Sequence, residues 1–245
     1  MSRIQKTEAI VLSKLNYSDT SKIAHFYTKD FGKISGILKG GRTKNSKIGA
    51  MVDPLNILEI VFYQKENRDI QIVTNAELIA FHPLIKENFE KLKFSYAIIE
   101  LVNFLTIESE VNLRLFSGIK KILQNMNSTD ENPALNYLRF FVFLMHESGF
   151  ELQLNLCSEC DNEIKSFDVN GFNYEKGILC PNCSQDHLIS LKLSRELFDL
   201  LICLKSGKKI LSYDEMLIKS AIKFSENYLQ HHHHEYKGSQ SLKLE

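Results

Sequence analysis

The sequence predicts an α+β protein in which a small antiparallel β-barrel precedes a helical bundle interrupted by a cysteine-bearing insert. Three observations predict it. Five short segments rich in β-branched and aromatic residues follow one another through residue 81, with no helix-length pattern between them. After His82 the apolar period lengthens from two residues to alternating spacings of three and four. Four of the five cysteines then stand as two C-x2-C pairs inside the helical half.

The five segments are TEAIVLSKL, SKIAHFYT, GKISGILK, LNILEIVFYQ and DIQIVTNAEL, separated by turn signals such as DFG and KENRD. Strands in direct succession lack the crossovers a parallel sheet needs, and five of them suit a barrel of the OB type over residues 1–81. Alternation on the second strand turns Phe26 inward and His25 and Tyr27 outward.

The helical domain is expected over residues 82–245. Pro83 stands at a first helical position, and Ile85, Phe89, Leu92, Tyr96, Ile99 and Val102 line one face of a single long amphipathic helix. Further helices are expected at about 111–126, 134–148, 195–205 and 213–230. The third opens at Asn132 and Pro133, stops at Gly149, and is apolar nearly all round, as the central helix of a bundle would be. Ser212 and Glu215 have capping-box spacing for the last. Cys203, on the apolar pattern LFDLLICLK, reads as a small core residue.

The 245 residues are 44% hydrophobic and 24% charged, with 11 Gly and 4 Pro, a globular rather than a disordered composition. The longest uncharged apolar run, residues 140–145, is far too short to cross a bilayer, and no secretory h-region opens the chain, so a cytoplasmic location is expected. Net charge is zero but polarised. Through Asp53 ten bases stand against four acids, an excess of six that the remainder cancels. A basic front end attracts polyanions.

Cys157, Cys160, Cys180 and Cys183 form C-x2-C, nineteen residues, C-x2-C, within an insert at about residues 155–188. Each pair presents two thiolates from one tight turn, and two such turns complete a tetrahedral zinc site. The stretch GFNYEKGIL can form a hairpin that brings the pairs together. Four cysteines close the coordination shell, so one structural zinc ion is expected rather than a catalytic one. His187 is near enough to compete as a ligand, though a polar surface loop accounts for it, and the run His231 to His234 reads as a native C-terminal segment able to bind metal adventitiously.

The stretch GILKGGRT, residues 36–43, has the outline of a nucleotide P-loop, but Arg42 takes the lysine position. The following KNSKIGAMVDP carries asparagine, serine and glycine against a helical start, and no strand-helix alternation follows. What remains is a glycine-hinged basic loop. From Lys29 to Lys47 six bases face one acid, and Lys33, Lys39, Arg42, Lys44 and Lys47 are the candidate contacts to a nucleic-acid backbone. Elsewhere no serine, histidine or acid falls in a nucleophile motif, and no catalytic residue is assigned.

The stretch TEAIVLSKLNYSDTSKIAHFYTKDFGKISGILKGGRTKNSK resembles the N-terminal signature of the bacterial recombination mediator family RecO, with Lys39, Gly40, Gly41, Arg42 and Ser46 carrying the match in the loop. The order of helices, the four-cysteine insert and YLQHHHHEYKGSQSL extend the resemblance over nearly the whole chain. Thr43 departs from it, standing where the family often has a second arginine.

The resemblance implies an OB-fold domain joined to a helical domain with a zinc insert, and a non-enzymatic mediator of DNA repair. It further implies binding of single- and double-stranded DNA, strand annealing, and partnership with RecR and the tail of the single-stranded-DNA-binding protein SSB, so that RecA loads on SSB-coated strands at the nucleoid. Arg114, Lys120 and Lys121 on one helix are candidates to rim the SSB-tail groove. Two rival readings differ in class: a zinc-ribbon protein-interaction module with incidental nucleic-acid affinity, and a phosphotransfer enzyme.

Overall fold

The computed structural model describes residues 2–164, 170–208, 210 and 214–244. The chain divides into two compact units, Met1–Pro133 with Leu244–Glu245, and Ala134–Lys243.

The first unit is built on β1 (Arg3–Tyr17), β2 (Ser21–Thr28), β3 (Gly32–Leu38), β4 (Ile57–Gln64) and β5 (Ile70–Ala80). They close in the order β1-β2-β3-β5-β4, every pairing antiparallel except β3 with β5. This is the OB-type barrel, a topology that leaves no long exposed edge. Its interior is filled by Ala9, Val11, Ala24, Phe26, Leu38, Leu58, Ile60 and Phe62, as the two-residue period dictates. Phe26 belongs to this interior and Tyr27 does not, as the alternation expects. Tyr27 is nonetheless 1% exposed, while His25 is half-buried.

Between β3 and β4 runs a one-turn helix, α1 (Lys47–Met51), whose Ile48 and Met51 pack against the barrel core. The residues read as helix breakers include its cap: the Ser46 hydroxyl accepts the Gly49 amide at 3.1 Å.

The single helix expected after His82 is two. α2 (Pro83–Lys86) stops, and α3 (Phe89–Leu105) starts afresh, because the Asn88 side chain accepts the Lys91 amide at 3.0 Å and caps a new N-terminus. α4 (Leu113–Ser128) begins on the equivalent cap from Asn112. These three helices group with the barrel.

The second unit centres on α5 (Pro133–Glu147), whose Leu135, Tyr137, Leu138, Phe141 and Leu144 are at most 1% exposed. Gly149, at φ +80°, ends it in a Schellman motif, Phe150 N–H bonding the Met145 carbonyl and Gly149 N–H that of His146. The insert contributes β6 (Asn170–Asn173), β7 (Gly177–Leu179), a short α6 (Cys183–Asp186) and β8 (Leu191–Leu193), forming a three-stranded sheet of order β7-β6-β8. The expected hairpin is present, with Gly171 opposite Leu179, and β8 adds a strand the composition did not announce.

α7 (Arg195–Ser206) and α8 (Glu215–His232) complete the unit. α7 carries Cys203 half-buried, less enclosed than a core residue. Asp214 holds the N-cap position of α8 without a side-chain bond; Ser212, of the expected capping box, lies outside the described residues. Among the described residues no helix is long and apolar enough to cross a membrane.

Candidate nucleic-acid interface and metal centre

Lys39, Arg42, Lys44 and Lys47 are all exposed and fall within nine residues of one loop, between the end of β3 and the first turn of α1. The loop is held from behind. Gly49 lies so close to the Gly41 carbonyl that a Cβ there would stand 1.8 Å from its oxygen. Lys22 donates to the Gly49 carbonyl at 3.0 Å, and Arg42 N–H to Thr20 O at 2.8 Å. The Arg42 guanidinium rests on the Ser18 carbonyl. Gly40, at φ +70° with open space around its Cα, makes the turn. The result is a fixed backbone carrying four outward cations.

Lys33 is not among them. It sits at the opposite end of β3, about 20 Å along a strand of this length. Its ammonium donates to the Asn103 carbonyl at 2.8 Å, and burial pushes its pKa down despite Glu108 nearby. The segment after α3 closes over this end: Ser109 N–H bonds Lys33 O, and Gly32, at φ +63°, leaves room for the Glu110 carbonyl where a Cβ would stand 2.2 Å away.

The P-loop outline does not survive this geometry. Gly36, Ile37 and Leu38 are strand residues paired with β2, and Gly36 lies against Phe26 and Val73 in the barrel core, so their amides cradle nothing. The turn that follows leads into a five-residue helix in an antiparallel setting.

In the second unit the four Sγ atoms of Cys157, Cys160, Cys180 and Cys183 all lie within 4.8 Å of one another. Local turns bring them there. Cys157 N–H bonds the Asn162 carbonyl, Asp161 takes φ +57°, and Ser158 N–H bonds Ile178 O, joining the first pair to β7. The second pair opens α6.

A tetrahedral shell with metal–sulfur bonds of about 2.3 Å has sulfur–sulfur edges of about 3.8 Å. The Cys160 and Cys180 sulfurs are 3.8 Å apart. The donor set fits a divalent ion of thiolate preference. Burial opposes ionisation of Cys157, yet the amides of Cys180, Glu159 and Cys160 outweigh it and bring the thiol down to about 6. Hydrogen bonds among the thiols, from Cys180 first, push Cys183 up to about 12. So crowded a set ionises together only around a cation. His187 lies 3.7 Å from Glu159 and is not one of the four clustered donors.

Of the helix α4 bases, Lys120 is committed to Glu8 at 2.6 Å, while Lys121 is exposed. A groove of about 400 Å³ in the second unit is lined by Val142, Phe143, Leu152 and Leu204, with Arg139 and Lys205 at its rim. Lys205 is held by Leu152 O and Glu151. Spatial apposition of α5 with α7 makes this groove, and no local motif announces it.

Comparison with known proteins finds a family described as "Recombination protein O N terminal" matching residues 1–82, and one described as "Recombination protein O C terminal" matching residues 86–240. A protein named DNA repair protein RecO from Chlorobium phaeobacteroides strain DSM 266 is 37% identical over 178 residues, covering 72% of this chain and 67% of that one. Its namesake from Chlorobium limicola is 38% identical over 155 residues, 63% of this chain and 59% of the relative. One from Chloroherpeton thalassium is 34% identical over 154 residues, 63% and 60% of the two chains. The matched part thus spans about three fifths of the length of several curated relatives.

Proposed function

Because this chain belongs to the RecO family of DNA repair proteins, we propose that it is a non-enzymatic recombination mediator that binds single- and double-stranded DNA and anneals complementary strands without ATP. The observation that carries the reading is the braced loop of the barrel. Lys39, Arg42, Lys44 and Lys47 stand on a backbone fixed by Gly41, Gly49 and Lys22, so cations meet phosphates with little ordering cost. Screening two strands at once lowers their mutual repulsion and lets bases pair. Lys33, at the far end of β3, is assigned a holding role on the Asn103 carbonyl.

On this reading the barrel domain, residues 1–81, carries the DNA, and the helical domain, residues 82–245, carries protein partners. Cys157, Cys160, Cys180 and Cys183 hold one zinc ion, which supplies a closed structural crosslink and no reaction. RecR and the SSB tail are the partners, RecA loading is the consequence, and the cytoplasmic nucleoid is the place of action. For the acidic, apolar SSB tail the groove at Val142, Phe143 and Leu204 is better supported than the helix bearing Arg114, Lys120 and Lys121, because it offers the apolar lining such a tail needs.

The test is annealing of complementary oligonucleotides by the full chain and by its K39A/R42A variant. Impaired annealing with unchanged metal content supports the proposal. Equal annealing by both removes the loop from it, and loss only with Phe143→Ala, through a protein partner, favours the interaction-module reading.

A further inference from the structure

A cavity of about 280 Å³ opens in the second unit between β8, α7 and α8, away from the cysteine cluster and the groove beside α5. Leu191, Leu197, Leu217 and Phe224 give it apolar walls, Leu197 and Phe224 being 6% and 1% exposed, and Ser194 and Ser220 lie beside them. Tyr174, just beyond β6, is half-buried at the lip with its ring 6.0 Å from that of Phe224. Lys192 on β8 and Lys223 on α8 stand on different walls, both exposed. Among the described residues no carboxylate lines the cavity, and neither ammonium has an ion pair or hydrogen bond. Two other cavities among the described residues differ from it in mixing signs at their charged edges. The cavity at Lys33 includes Glu66, Asp69 and Glu108, and Lys205 is held by Glu151.

Two unpaired cations around an apolar slot call for a ligand that is anionic at its ends and apolar and flat in its middle. The side-chain amide of Asn227, also lining the cavity, distinguishes the class. It has no partner among the described residues, so a bare aliphatic side chain inserted here would leave its donors and acceptor unmet. A nucleobase meets them on its edge while its face lies against an aromatic ring.

We propose that this cavity is a second nucleic-acid site that takes one unstacked base of a single strand, with the phosphates on either side of that base on Lys192 and Lys223. The inference rests on single-stranded DNA being a ligand of the chain, but not on the barrel loop being where it binds. An annealing protein gains from it a means of presenting a strand with a base turned out of its stack.

The experiment is a salt series of single-stranded oligonucleotide binding by the full chain, K192A/K223A, N227A and K39A/R42A, with a second oligonucleotide carrying a photoreactive 5-iodouracil. K192A/K223A is expected to flatten the logarithmic salt slope by about 1.4, and N227A to weaken binding without changing the slope. The photoproduct is expected on Tyr174, and to persist in K39A/R42A. An unchanged slope in K192A/K223A together with no photoproduct on Tyr174 overturns the site, whatever K39A/R42A does. Binding of an acidic peptide ending in phenylalanine that needs Lys192 and Lys223, where the oligonucleotide does not, also overturns it and makes the cavity a peptide site. If K39A/R42A alone leaves the slope untouched, the barrel reading fails and this one stands.

Discussion

Lys120 Nζ lies 2.6 Å from Glu8 Oε2, tying helix α4 to barrel strand β1 across 112 residues of sequence. The hydrogen bond from Lys120 holds the Glu8 carboxyl below its usual range against the opposing effect of burial, with Lys29 adding to it. Glu8 is therefore a joint between the barrel and the helices grouped with it.

Glu8→Gln is expected to destabilise this unit by about 1 kcal/mol, the pair being partly solvent-screened. With its folded pKa below the unfolded value of about 4.3, Glu8 contributes its full stabilisation above that pH and loses it as pH falls through the lowered folded value. Denaturant titration at pH 7 and near pH 3 checks this: the gap between native and variant chains should close at the lower pH.

His82 is 3% exposed, and its Nδ1 donates to the carbonyl of Leu55 at 3.0 Å, a residue at φ +72°. Burial pushes the imidazole pKa down, with Lys86 adding to the shift and the Leu55 bond opposing it. A depressed histidine gives stability that is whole above about pH 6.5 and is lost as pH falls toward the folded value. His82→Asn should flatten the fall of melting temperature between pH 7 and pH 5. A native-like fall in that variant would place the acid sensitivity elsewhere.

Gly49→Ala forces a Cβ into the Gly41 carbonyl. The expected cost is about 1–3 kcal/mol of barrel stability, from overpacking where backbone meets backbone. Single-stranded DNA affinity should drop as well, because the loop bearing Lys39 and Arg42 loses its support. Thermal melts and fluorescence anisotropy on one preparation read both effects.

For the metal, elemental analysis should find one zinc per chain. Chelation is expected to lower the melting temperature by on the order of 10 °C, as loss of a structural ion does, and to leave the loop's share of the DNA salt slope intact. A chain that purifies without metal and melts unchanged would show that the four cysteines hold no structural zinc.

The barrel and the cysteine cluster were legible because both are encoded locally. SKIAHFYT begins and ends where β2 does, and two C-x2-C turns set their own thiols. The helical break at Asn88 was written in the sequence too, but apolar residues spaced at three and four ran through it and hid a cap. Ser46 was hidden likewise among residues that look like breakers. Lys33 was grouped with the loop by its place in the sequence, and a seven-residue strand carried it to the other end of the barrel. Lys192, Lys223 and Asn227 were not legible at all, since only the packing of β8 against α7 and α8 puts them around one cavity.

Whether the braced barrel loop carries the DNA backbone is read from the salt dependence of single-stranded DNA binding by the native chain and K39A/R42A. Removing two phosphate contacts should make the logarithmic slope shallower by about 1.4 with metal content unchanged. An identical slope in the two proteins would contradict this and leave GILKGGRT a lysine-rich turn.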